Sequence, residues 1–416
     1  MKISKSFQSA WNTLQIPGKP HSKQIKAINS ILDGQDTLVV APTSFGKSAI
    51  YLVPAIINSS KGKWTLVIEP TLALIADQVN KLQEFGINAE MMTSRNAGEH
   101  ATILDRLCKG EIAILYVTPE RVQTSAFQSV VRNYPPHLLA VDEAHCVLDW
   151  GYTFRKDYLC IKDFIKKLNQ RHVIAAFTAT APEEYREAIC KHLGMKNPDI
   201  CVSSLARENI ILLKEDCSDL SIKKRLSRVK YNIKKYGKDG RVVVYCATRK
   251  NVDMVSNYLS KQFPGEVVKC HAYMDSDKRE KHEMQFIKGS KRIMVATTAF
   301  GMGISVPDIR LVLHFNLPLS AIDYYQQIGR AGRDGKKSHA MLLYHPDDIE
   351  LNRYILQKED LSDKIQNWLS ERLNEIVSIA ESDRCLMQQV LESLGEEHPT
   401  TCRHCSNCQK ARRVKK

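Results

Sequence analysis

The chain has 416 residues, 43% of them hydrophobic and 25% charged, the balance of a soluble globular protein of two to three domains. Lys and Arg total 60 against 46 Asp and Glu, a formal charge of +14, which favours an anionic partner, nucleic acid ahead of an anionic membrane surface. No apolar run approaches the ~20 residues of a membrane helix, and the opening MKISKSFQSAWNTLQIPGKPHSKQ has no h-region, which excludes a secretory leader. Its lack of acids before Asp33 suits an organellar transit peptide in composition, but a working motif begins by Gln24 and leaves no room for one. The expected location is intracellular: cytoplasm or nucleoid in a prokaryote, nucleus in a eukaryote.

Short apolar, β-branched runs recur along the chain, each followed by a turn signal and an amphipathic stretch. They are 36–42, 64–70, 112–119, 138–145 and 172–180 in the first half, then 241–248, 267–272, 292–298, 310–318 and 340–345. Strands buried on both faces and separated by helices predict parallel α/β sheets, and two such sets predict two α/β domains in tandem. The pattern breaks at SSLARENI, before the basic, helical LSIKKRLSRVKYNIKKYGKDG, and strands stop near residue 346. Expected boundaries are therefore 1–207, 208–345 and a helical 346–416. The final KARRVKK carries five positive charges, a solvated end able to touch phosphate.

APTSFGKS (41–48) follows an apolar strand and precedes a helix-compatible stretch, the context a phosphate loop requires. Thr43, Ser44 and Gly46 would place backbone around the phosphates, Lys47 would neutralise β/γ oxygens, and the Ser48 hydroxyl would ligate Mg²⁺. LLAVDEAH then sets Asp142 at the end of a parallel strand, where it can hold Mg²⁺, with Glu143 placed to activate the attacking water. In QQIGRAGRDG (326–335), Arg330 and Arg333 lie three apart, directly after Gly329 and Gly332. A γ-phosphate in transfer needs such cations, and if the two domains face each other these arginines act across the cleft. A surface Arg cluster for nucleic acid is the competing reading.

Taken in order, these elements resemble superfamily 2 helicases, and the finer residues resemble the RecQ family. The segments that carry the resemblance are VDEAHC, DWGYTFRKDYL (149–159), FTATA (177–181), VVVYCATRK (242–250), ATTAFGMGISVPDIR (296–310) and YYQQIGRAGRDG (324–335). The resemblance runs from about residue 18 to 410. It implies two RecA-like domains followed by a small helical zinc-binding domain, and an ATP-driven DNA helicase moving 3′ to 5′, with a role in recombination or repair. It also assigns Gln24 to adenine reading, His145 to the link between the nucleotide and Thr178 to Thr180, and Gln326 to the head of the arginine motif. Trp150, Phe154 and Arg155 match the aromatic-rich loop that senses single-stranded DNA, a role that base stacking and cation–π attraction support.

The sequence departs from the family pattern at several positions. Ser44 and Phe45 stand where the phosphate loop is usually richer in glycine. Upstream of Gln24 the aromatic and arginine that sandwich adenine in the family are missing; Pro17 and His21 lie nearby instead, and His21 is the residue able to stack. Ser305 stands in place of an aspartate, and Tyr152 and Thr153 in place of a His-Asp pair. The chain ends eight residues after Cys408, which predicts a short form without the winged-helix and accessory domains, or a partner that supplies them; a monomer is expected.

Of the twelve cysteines, eight are scattered and read as reduced, buried, inert thiols. Cys402, Cys405 and Cys408 stand at knuckle spacing, with Cys385 seventeen residues earlier. Four thiolates suit tetrahedral Zn²⁺ with no open position, hence a structural site, and the cluster matches the family's zinc region. His404 reads as a bystander, and an iron–sulfur cluster is the alternative. Two other functions share the motor residues: an RNA helicase or remodeller, and a catalytically weak nucleic-acid-binding module.

Overall fold

The computed structural model describes residues 3–16, 18–42, 45–147, 156–168, 170, 172–179, 181–298, 300, 306–358, 363–397 and 401–414. The chain forms two compact units, Met1–Ser204 and Leu205–Lys416.

In the first unit, helices α1 (Lys5–Thr13) and α2 (Ser22–Leu32) precede an alternation of strands and helices. These are β1 (Thr37–Val40), α3 (Lys47–Ser59), β2 (Thr65–Ile68), α4 (Leu72–Glu84), β3 (Ala89–Met92), α5 (His100–Cys108), β4 (Ile114–Val117) and α6 (Ser125–Asn133). β5 (Leu138–Val141), α7 (Lys156–Lys166), β6 (Val173–Thr178), α8 (Glu183–Leu193) and β7 (Asp199–Val202) complete it. The seven strands form one parallel sheet in the order β3-β4-β2-β5-β6-β1-β7. β1, β2, β4, β5 and β6 are buried at every position, which is why they read as unbroken apolar runs. Apolar side chains of α1, α2 and α3, among them Phe7, Trp11, Ile28 and Tyr51, share the core with the sheet.

The second unit repeats the scheme with β8 (Ile210–Asp216), α9 (Ile222–Tyr236), β9 (Arg241–Tyr245), α10 (Arg249–Gln262), β10 (Val267–Cys270), α11 (Ser276–Ile287) and β11 (Ile293–Ala296). β12 (Ile309–His314), α12 (Ala321–Ile328) and β13 (Ser338–Tyr344) close the sheet; α13 (Asp347–Gln357), α14 (Asp363–Glu381), α15 (Leu386–Ser393) and α16 (Ser406–Val414) follow. The sheet is parallel, in the order β10-β11-β9-β12-β13-β8. Leu373, Ile376, Val390 and Leu391 of the late helices enter one apolar core with Tyr324, Ile328 and Leu342, so the helical end of the chain folds onto the second sheet.

The strands of each sheet all point one way, so every strand ends at the same edge, and loops carrying chemistry gather there. Local signals set the helix starts. The Ser320 hydroxyl accepts the Asp323 N–H at 3.0 Å to cap α12, and Thr248 caps α10 through Asn251 N–H at 3.1 Å. No helix among the described residues is long and apolar enough to cross a membrane.

Candidate nucleotide and zinc sites

In the first unit, β1 leads into Ala41 and Pro42, and Gly46 forms the N-cap of α3 with φ 76°. That left-handed conformation suits glycine, and an added Cβ would stand 3.0 Å from Gln24 Nε2. Lys47 opens α3 almost buried, its ammonium donating to the Ala41 carbonyl at 3.3 Å. The Gln24 carboxamide fastens this loop to the N-terminal segment. Its Nε2 donates to the Phe45 carbonyl at 2.9 Å, and its Oε1 accepts the His21 N–H at 2.8 Å. Nε2 also lies 3.5 Å from the Gly46 carbonyl, which leaves one lone pair of Oε1 beyond these bonds. The His21 ring stacks on Phe45 at 5.8 Å and 17°, so the ring proposed for adenine lies on the loop itself. Pro17, Thr43 and Ser44 are outside the described residues.

Asp142 follows β5, 8% exposed, its Oδ1 accepting the Glu143 N–H at 2.8 Å, while Tyr158 donates to its carbonyl at 2.9 Å. Burial and the Glu143 charge push the Asp142 carboxyl up to about 6, while the Lys47 ammonium pulls the other way. Glu143 turns the chain with φ 47°, a left-handed conformation uncommon away from glycine, which carries the chain directly into the 3-10 turn Ala144–Val147. His145 Nδ1 lies 3.0 Å from the Thr178 hydroxyl and 3.4 Å from Glu143 Oε2. Lys47, Asp142, Glu143, His145 and Thr178 thus share one sheet edge. Ser48 begins the same helix as Lys47, against the Tyr51 hydroxyl. Trp150, Phe154, Arg155, Tyr152, Thr153 and Thr180 lie outside the described residues.

In the second unit, Gln326 sits in α12, and Arg330 and Arg333 in the loop after it, the side chains partly exposed. Sequence reading treated SSLARENI as a boundary, yet it supplies the clamp on this loop. The buried Arg207 guanidinium donates to the carbonyls of Gly329 (3.3 Å), Ala331 (3.1 Å) and Gly332 (3.1 Å). Asn209 adds bonds to Gly332 O at 2.9 Å and Lys336 O at 3.0 Å. Gly332 has φ 55°, and a Cβ there would stand 2.5 Å from Asn209 Nδ2, so only glycine fits under the clamp. Arg330 also reaches the buried Tyr245 hydroxyl. A usable signal was the Arg-Glu-Asn triplet just before an edge strand, where polar residues have a backbone to serve. Ser305 is outside the described residues.

Cys385, at the N-cap of α15, meets Cys402, Cys405 and Cys408, and the four Sγ atoms all lie within 4.8 Å of one another. Ligands about 2.3 Å from a tetrahedral zinc stand roughly 3.8 Å apart, so the set fits that ion with small adjustment. The N–H groups of Cys402, Cys405 and Cys408 point at Sγ of Cys385 (3.3 Å), Cys402 (3.3 Å) and Cys405 (3.5 Å). Such donors favour thiolates; within the cluster the neighbouring thiols hold Cys385 far below its usual range and, with burial, push Cys402 and Cys408 above theirs. Cys385 and Cys405 belong to the apolar core of the second unit, so a metal here would knit the late helices to the sheet. His404 is not among the four ligands. Of the scattered cysteines, Cys108 is exposed and Cys160 half-buried, unlike the buried remainder, because both sit on helices with a solvent side.

Two tandem parallel sheets of this kind define the RecA-like helicase class. Structures of the same fold include the DUF1998 helicase MrfA bound to DNA (TM-score 0.70, 16% identity, 96% of this chain and 60% of that one). DEAD-box helicase Mss116 bound to single-stranded RNA is another (TM-score 0.67, 18% identity, 94% and 89%). Residues 21–188 match the DEAD/DEAH box helicase family, 224–335 the helicase conserved C-terminal domain and 346–409 the RecQ zinc-binding family. The chain is 34% identical to the ATP-dependent DNA helicase RecQ of Bacillus subtilis, over 94% of this chain and 64% of that protein. It is 34% identical to the RecQ-like DNA helicase BLM of Xenopus laevis, over 93% and 29%. The chain belongs to the RecQ family of helicases. It spans less than two thirds of the length of these relatives.

Proposed function

We propose that this chain is an ATP-dependent DNA helicase that couples hydrolysis to 3′-to-5′ movement along one strand, in DNA recombination or repair. The observation that carries the reading is the gathering of Lys47, Asp142, Glu143 and the His145–Thr178 pair at one sheet edge, in a chain whose relatives are named DNA helicases. In this reading Lys47 and the backbone around Thr43, Ser44 and Gly46 hold the phosphates, and Gln24 reads adenine. Ser48 and Asp142 would hold Mg²⁺, whose chemistry is to neutralise charge on the β- and γ-phosphates. Glu143 orients and deprotonates the attacking water. Gln326, Arg330 and Arg333 are the second unit's contribution to catalysis in this reading, with Arg207 holding the loop that carries the two arginines. Trp150, Phe154 and Arg155 meet single-stranded DNA, and hydrolysis is transmitted to them through His145. Zn²⁺ on the four cysteines has a structural role.

The partners in this reading are single-stranded and 3′-tailed duplex DNA, met by a monomer inside the cell, with accessory functions available from a protein partner. The experiment is ATP hydrolysis with and without single-stranded DNA, beside unwinding of 3′- and 5′-tailed duplexes. Stimulation by DNA and selective opening of the 3′-tailed substrate support the reading. Stimulation by RNA alone would move it to an RNA remodeller.

A further inference from the structure

The edge that gathers the phosphate-handling residues carries one more carboxylate. β2 and β5 are neighbours, with Ile68 opposite Val141, so Glu69 and Asp142 leave their strands side by side. Both backbones are fixed, Glu69 N–H donating to Val117 O and Asp142 N–H to Ile68 O, each at 3.0 Å. The Glu69 side chain is 1% exposed, and its Oε1 accepts the Thr71 N–H at 3.1 Å. Its Oε2 is buried, and among the described residues no N–H or O–H donates to it. The buried hydroxyls of Tyr51 and Tyr116, close by, are committed to Gln78 Oε1, each at 2.8 Å.

What the Glu69 side chain does meet is the carboxyl of Asp142. The charges bearing on Glu69 are those of Asp142 and Glu143, both negative. Lys47 is the cation that reaches Asp142, with one ammonium N–H donated to the Ala41 carbonyl at 3.3 Å, and it is not among the charges bearing on Glu69. A buried oxygen without a donor is costly, and facing carboxyls in a dry site call for positive charge beside them. Native interiors keep such an atom where a ligand completes it.

We propose that Glu69 is a positioning residue of the magnesium–nucleotide site, its Oε2 accepting from the water shell of the ion that Ser48 and Asp142 would hold. The inference rests on the nucleotide-site reading above and extends it by a residue that the sequence reading did not single out. Carboxylates of this kind act through the ion's waters, and their loss typically costs about tenfold or more in metal affinity.

The test is binding of a fluorescent ADP analogue to the full chain, titrated with Mg²⁺ and repeated in EDTA, for wild type and Glu69→Gln. Mn²⁺ affinity in the presence of ADP, read by electron paramagnetic resonance, gives a second measure. Glu69→Gln should need about tenfold more Mg²⁺ for half-maximal nucleotide binding and should hold Mn²⁺ about tenfold more weakly. In EDTA its nucleotide affinity should not fall, since a negative charge near the phosphates has gone. Superimposable metal titrations for wild type and Glu69→Gln would overturn the proposal. If Glu69→Gln does not fold, Glu69→Asp, which withdraws the carboxylate by one methylene, should shift the Mg²⁺ curve in the same direction, and no shift overturns it. A wild-type chain that binds no nucleotide would overturn the nucleotide-site reading itself, whereas metal-dependent binding that ignores Glu69 would overturn this inference alone.

Discussion

His145 Nδ1 stands 3.0 Å from the hydroxyl of Thr178, joining the loop that carries Asp142 and Glu143 to the end of the neighbouring strand β6. Both side chains are buried, so the bond is held in register by the sheet. Thr178→Val removes the hydroxyl at nearly constant shape and should cost about 1 kcal/mol in stability. In the proposed mechanism it should leave nucleotide binding intact and cut the stimulation of ATP hydrolysis by single-stranded DNA. Parallel basal and DNA-stimulated rates check this.

Arg207 donates to three carbonyls of the loop bearing Arg330 and Arg333. Arg207→Ala leaves buried acceptors without donors and should destabilise the second unit by roughly 2–4 kcal/mol. Arg207→Lys keeps the charge but not the planar fork, and should be the milder change. In the proposed mechanism, ATP turnover should fall more than ATP affinity in both, since the loop of the second unit and not the Lys47 edge of the first is disturbed. Turnover and KM measured at a temperature where the variant is folded separate the two.

The second unit should lose stability as the pH falls. The His314 ring is fully buried between Tyr245 and Tyr324, with Nε2 2.7 Å from Gln327 Oε1, and burial lowers it from 6.5 to about 4. His339 is also lowered to about 4 by burial. The unfolded chain therefore binds more protons between these values. The stabilisation from a neutral ring is complete above about pH 6.5 and is lost as the pH falls toward 4, to a total of about 3 kcal/mol for His314. The partly exposed His339 should contribute less. Denaturant unfolding at pH 7.5, 6 and 4.5 should show this loss, and His314→Asn, less stable overall, should show a flatter profile.

Much of the fold is legible in the sequence because the central strands are buried on both faces and read as continuous apolar runs. The strands that escaped reading, β3, β7 and β8, are edge strands. β3 and β7 expose part of their length, so Glu90 and Asp199 interrupt their apolar pattern, while Lys214, Glu215 and Asp216 do so in β8. The site divides in the same way. Lys47, Asp142, Glu143 and the four cysteines announce themselves by type and spacing. Arg207 and Glu69 do not, because what makes them matter is which backbone carbonyls or carboxyls a remote strand brings beside them. The His21 ring was read as a partner for adenine, yet its neighbour is Phe45, a pairing set by the turn of the phosphate loop.

The cysteine cluster should act as a fold element. Cys405 is fully buried in the core shared by α14, α15 and the second sheet. Zinc removal by a chelator, or Cys405→Ser, should lower the melting temperature of the second unit and weaken DNA binding, since isolated zinc modules draw on the order of 10 kcal/mol from the metal. Thermal unfolding with and without chelator, with zinc content measured in each sample, checks this. A structural site predicts that ATP binding to the first unit survives zinc removal.

The central claim is that phosphate chemistry at the Lys47–Asp142–Glu143 edge drives work on DNA. It is tested most directly by steady-state ATP hydrolysis in wild type and Lys47→Ala, with and without single-stranded DNA, with DNA affinity measured in the same samples. The account predicts DNA-stimulated turnover in wild type, and a Lys47→Ala chain that still binds DNA but hydrolyses at least about a hundredfold more slowly, the loss of one transition-state charge contact. Equal turnover in the two proteins, or wild-type turnover indifferent to DNA, would contradict it.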